Sequence, residues 1–239
     1  MTATRTPLTD VEQEELARNA TAQLGLEPRL LRLLTAVHEA GHAIVGTTLG
    51  FDVSSIQVSS RDVLGFRNHD HISLELHVGQ EIRLPDELSL YMAGFQAACF
   101  WLNGRGIRAM APGLPYKTAL NCLAGGDINK CHDLCDQWGM PAVATTNEGV
   151  RGAAHVLKYR WRAVLQLAYA VADTGYLRGA ELQPYLDADP VARQRALTAY
   201  GTWLTATAGL WTLPGATTAQ AADHEVQVWT RACAPLRVE

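Results

Sequence analysis

Residues 29–49 carry apolar side chains at helical spacing, among them Leu30, Leu31, Leu34, Val37, Ile44 and Val45, and Gly50 supplies a stop. Into this apolar run the sequence sets His38, Glu39 and His42, the pattern H-E-x-x-H. Burying two imidazoles and a carboxylate in such surroundings is costly unless they share a task. The four-residue separation puts both histidines on one helix face, where they can hold one zinc ion. Glu39 can then reach a zinc-activated water without ligating the metal. It takes the proton as general base and later delivers it to a leaving amine. Gly41, inside the motif, costs the helix about 1 kcal/mol relative to Ala, which implies a packing or access reason.

A zinc site of this kind needs a third protein ligand. Thr48 stands where the extended H-E-x-x-H-x-x-G-x-x-H pattern would place a histidine. Spacing therefore leaves the ligand open among His69, His71, His77, His132, His155, His224 and any carboxylate. Cys131, on the helix predicted from 127 to about 138, is a further alternative. Cys122, Cys131 and Cys135 do not match structural zinc spacings and read as free thiols.

The rest of the chain reads as mainly α with a small mixed β-sheet. Strands are predicted around Val53–Val58, Leu64–Phe66 and His71–Val78. Helices are predicted over 11–24, 86–103, Asp127 to Trp138, 146–174, 179–187 and 190–211, with a short one at the C-terminal end and loop across 111–126. The expected division is an N-terminal extension at 1–28, one core domain at 29–187 and a helical extension at 188–239 packed on it. The run Lys158-Tyr159-Arg160-Trp161-Arg162 points around a helix axis and reads as a solvated face. Trp161, Trp203, Trp211 and Trp229 read mostly as packing residues.

Composition excludes several classes. The balance of 20 Lys and Arg against 24 Asp and Glu, net −4, argues against nucleic acid or an anionic membrane as the main partner. No apolar run reaches the length of a membrane span, and the polar N-terminus lacks a signal-peptide core. Five cysteines suit a reducing compartment, so a cytoplasmic location is expected.

The stretch HEAGHA resembles the zinc motif of the FtsH-type proteases, the peptidase domains of membrane-anchored AAA proteases. VSSIQVSSRDVLGF at 53–66 is similar to the strand and turn after that family's zinc helix, and YMAGFQAACFWLNG at 91–104 to its L-A-G-R-A-A-E helix. AGGDINKCHDLC at 124–135 resembles the segment that carries the family's third ligand, and LRGAELQPYL at 177–186 resembles an element near its domain end. The resemblance covers about residues 33–187 in order. It implies a zincin-like fold, zinc on His38, His42 and Asp127, and Glu39 as base. Asp127 would sit at a helix start, where a carboxylate is favoured; an ordinary N-cap is the alternative.

Departures from the family are equally specific. There is no P-loop and no AAA module in these residues, and the family's Arg and Glu positions hold Phe95 and Cys99. The expectation is a zinc metalloendopeptidase, a hydrolase of protein or peptide substrates without its own ATPase. It would work with loose substrates or with a separate unfoldase or adaptor. The alternative is a binding or regulatory module on the same fold, and a weaker one is an amidase acting on a non-protein amide.

Overall fold

The computed structural model describes residues 24–58, 71–75, 83–106 and 123–211, with the single positions 15, 22 and 120. For 71–75 it is the backbone that is described. The expected N-terminal helix, the strand at 64–66, most of the 111–126 loop and everything after Trp211 lie outside the described residues.

Helix α1 spans Pro28–Leu49, close to the expected 29–49. Proline at its first position loses no hydrogen bond there. Gly50 ends it in the left-handed conformation at φ 96°. That turn lets Phe51 N–H reach the Gly46 carbonyl at 3.0 Å, closing the helix with a Schellman-type bond. Strand β1 (Asp52–Gln57) follows directly, and β2 (His71–Glu75) pairs with it antiparallel.

Helix α2, Leu84–Asn103, is buried on nearly every side. Such a helix belongs at the centre of a helical domain, and α2 packs on both α1 and the long helix over Ala142–Thr174. Phe95 and Cys99, the apolar replacements noted above, are both core residues. Small residues bring α1 and α2 together. A Cβ added at Gly41 would meet Ala97 Cβ at 2.6 Å and the Ala93 carbonyl oxygen at 2.8 Å. This close approach is the packing reason for glycine inside the motif.

Helix α3 covers Gly125–Gln137, and α4 covers Ala142–Thr174. The 33-residue α4 begins after Pro141, four residues before the expected start. Gly175 ends it at φ 80°, and the chain turns into β3, Tyr176–Arg178. This third strand was not anticipated from sequence. It runs antiparallel along the other edge of β1, giving the order β2-β1-β3. Among the described residues both pairings are antiparallel, so there the expected mixed sheet is corrected. The chain reaches β3 only after passing through α2, α3 and α4, and the turn at Gly175 then lays it antiparallel on β1.

The expected helix at 179–187 is a 3-10 turn, Gly179–Glu181, followed by the single-turn α5, Gln183–Leu186. Helix α6, Pro190–Ala206, is capped by Asp189, whose carboxylate accepts from Ala192 N–H at 2.8 Å. A 3-10 turn at Ala208–Leu210 replaces its expected last turn. Helix α6 packs on α4, and Arg193 ties it to α1 by donating to the Thr47 carbonyl at 2.8 Å. Buried Arg160 anchors the intervening turn by donating to the carbonyls of Leu186, Ala188 and Asp189. The molecule is therefore mainly helical with one small antiparallel sheet. Among the described residues no helix is long and apolar enough to cross a membrane.

Candidate metal centre

His38 and His42 lie one turn apart on the face of α1 that meets α2, both almost fully buried. Their Nε2 atoms are 3.0 Å apart. Asp127, third residue of α3, brings Oδ2 to 3.2 Å from each of them. Among the described residues this is the one group of three or more His, Cys, Asp and Glu whose ligand atoms lie close enough to hold a metal ion. The helix cap at Ala124 uses no side chain, so Asp127 is not an N-cap. It sits in the first turn, where the helix dipole still favours a carboxylate.

The spacing of the three atoms is that of a coordination sphere. Ligands about 2.0–2.1 Å from a tetrahedral ion are roughly 3.3 Å from each other; the observed separations are 3.0, 3.2 and 3.2 Å. Gly94 of α2 supplies a second, independent fit. A Cβ there would lie 2.4 Å from His42 Nε2 and 2.6 Å from His38 Nε2. A methyl group would thus stand close to where an ion shared by both nitrogens must sit. Any residue larger than glycine fills the cradle.

Tautomers support the same arrangement. His42 Nδ1 lies 2.8 Å from the Leu90 carbonyl oxygen. A carbonyl only accepts, so Nδ1 carries a proton and donates it. In the neutral ring this leaves the Nε2 lone pair facing Asp127 and His38, as metal-binding histidines require. Without metal the cluster holds a proton instead. Burial alone would lower the His42 pKa, but the Asp127 carboxylate, with help from Glu39 and the Leu90 carbonyl, overrides it and raises it to about 9. Burial likewise opposes charge on Asp127, yet the two histidines hold its carboxyl well below the usual carboxylate range.

Glu39 is also buried, and its Oε1 lies 4.0 Å from His38 Nε2. It is thus beside the ligand atoms while standing outside the set that converges. The other sequence candidates divide clearly. Cys131 is buried one turn beyond Asp127 and His132 is half-buried on the same helix, and neither joins the converging group. Burial pushes the Cys131 thiol up, with the charges of Cys135 and Asp127 adding to it, so its thiolate is disfavoured. His155 is on α4 and lines a different surface. His69, His77, His224 and Cys122 lie outside the described residues, as does the His71 side chain.

Two contributors to the site carried no readable signal in the spacing. One is Gly94, whose role appears only once α2 is laid across α1. The other is the Leu90 carbonyl, a backbone group. No protein-family model matches this chain, and neither a curated protein nor a solved structure matches it.

Proposed function

We propose that the chain is a zinc-dependent metallopeptidase of FtsH-like, zincin-type architecture, with His38, His42 and Asp127 as ligands and Glu39 as general base. The observation that carries this reading is the convergence of three ligand atoms on the space Gly94 leaves, with a carboxylate alongside. Zinc is favoured over calcium or magnesium because two of the three donors are imidazole nitrogens. When bound there, zinc supplies Lewis acidity, acidifying water and polarising an amide carbonyl.

The remaining work falls to the chain's own groups. The Leu90 carbonyl fixes the His42 ring by accepting from Nδ1. Asp127 contributes negative charge that balances the cation. The Glu39 carboxylate accepts a proton from the attacking water at one oxygen and passes it to the departing nitrogen of the substrate. The histidines spend no proton in this scheme, so the base must be the nearby group that is not a ligand.

Hydrolysis of an unfolded protein such as casein, by zinc-loaded wild type and Glu39→Gln, tests the reading. Turnover in wild type alone, with equal zinc in both proteins, is the expected result. Equal turnover in both would remove the general-base role. Zinc without turnover in either would turn the reading towards a binding or regulatory module on the same fold.

A further inference from the structure

Helices α4 and α6 leave between them a groove of about 1040 Å³, lined by side chains of both and sharing none with the metal centre. Its size is at the upper end of the roughly 300–1,000 Å³ typical of small-molecule pockets. Apolar groups make up most of its surface. Val191 is 62% exposed and Tyr159 37%, and Ala199 lies beside them. Lys158 and Arg195 rise from opposite walls, one on each helix, and both are exposed.

The charge of this lining runs against that of the chain. The protein carries a net −4, yet the groove is lined by Lys158, Arg195 and His155 and by no acidic residue. Among the described residues neither Lys158 nor Arg195 forms an ion pair; Lys158 Nζ lies 5.5 Å from the Tyr159 ring centroid. The sequence neighbours of Lys158 are occupied elsewhere. Arg160 is buried on backbone carbonyls, and Trp161 packs edge-on against Phe100 at 5.8 Å. The basic-aromatic run therefore presents only Lys158 and Tyr159 to this face.

A trough between two helices, mostly apolar in lining and with one cation from each helix, matches the complement of an amphipathic helix. We infer that this groove seats an acidic amphipathic segment of a partner protein, with its apolar stripe on Val191, Tyr159 and Ala199 and its carboxylates on Lys158 and Arg195. Nucleic acid fits less well, because phosphate binding draws on a row of cations rather than two beside a mostly apolar lining. The inference stands independently of the metal centre.

The test is fluorescence anisotropy of the full chain with two labelled helical peptides of about 15 residues. Both carry Leu at i, i+4 and i+7; the flanking positions are Glu in one and Lys in the other. The Glu peptide should bind at least about tenfold more tightly than the Lys peptide. The double variant Lys158→Glu/Arg195→Glu should reverse that order, and Val191→Asp should weaken the Glu peptide by about tenfold. All three positions are solvent-exposed, so helical content and thermal melting serve as folding controls. Equal binding of both peptides, no binding, or binding unchanged in the double variant would overturn the inference. So would preferential binding of a single-stranded oligonucleotide at the same residues. Self-association of the wild type that the double variant abolishes would make a second copy of the chain the occupant, and would equally overturn it.

Discussion

Two buried polar clusters join distant helices in this protein, and they are built on opposite plans. At the N-terminal end of α2, Asp86 accepts from Arg83 Nε at 2.7 Å and Nη2 at 3.0 Å, and from the Tyr200 hydroxyl at 2.8 Å. Ser89 Oγ lies 3.4 Å from the same hydroxyl. Both carboxylate oxygens are used by donors from different directions, and burial together with the Asp86 charge pushes the Tyr200 phenol up, so it stays a donor. Two turns along the same helix, the metal centre directs two nitrogens and a carboxylate oxygen at one point, and glycine faces them. The first cluster completes itself with protein donors and fastens α6 to α2. The second converges on a point that a cation could fill. Convergence of lone pairs on space kept clear by a glycine separates a ligand site from a structural network, where burial and polarity alone do not.

The strongest way to break this contrast is at Glu39. Glu39→Gln should keep zinc and lose about 10²–10⁴-fold in kcat, read by casein hydrolysis with metal content alongside. Next is the cradle itself. Gly94→Ala removes no ligand, but its methyl would press on both histidine Nε2 atoms, and it should lower zinc affinity by more than about 100-fold, beyond the usual range for altering a supporting residue. Competition with a chromophoric chelator measures it; wild-type affinity in Gly94→Ala would show that the ion sits elsewhere.

Proton competition sharpens the comparison further. In the metal-free protein the His42 pKa is raised to about 9. Its bound proton therefore stabilises the metal-free fold below the ordinary histidine value of 6.5, and that contribution is lost as pH rises through about 9. Zinc must displace the proton, so its apparent affinity should rise up to about tenfold per pH unit between 6.5 and 9 and then level off. Metal-free stability should fall over the same window, and a chelator titration paired with thermal melts reads both slopes. The smallest expected effect is at the structural cluster. Tyr200→Phe removes one hydrogen bond to a charged group and should lower stability by about 1.5–3 kcal/mol, leaving zinc content and turnover unchanged.

What the sequence showed of this molecule follows the range of the interactions. Helix α1 was readable almost to the residue because its apolar spacing, Pro28 and Gly50 are all local. The two histidines were readable for the same reason: helix geometry alone places them a turn apart. Asp127 was a different matter, since 85 residues separate it from His42. Spacing offered no way to prefer it over the other candidates, and only the family resemblance selected it. Gly94 and Leu90 emerged from the crossing of α2 over α1, and the Asp86–Tyr200 contact spans 114 residues. Strand β3 escaped because three residues are too few for alternation to be visible, and its place is set by the turn at Gly175 and by the partner strand. Strand direction depends on connections that short apolar runs do not reveal, so the expected mixed sheet gave way to antiparallel pairings among the described strands.

Elemental analysis of protein purified under zinc-replete conditions, wild type beside Asp127→Ala, tests the central claim most directly. The proposed zinc centre predicts about one zinc per wild-type chain, held by three protein ligands, and a large loss in Asp127→Ala at the same dialysis. Wild type without zinc, or Asp127→Ala retaining a full equivalent, would contradict the account of a His38–His42–Asp127 centre.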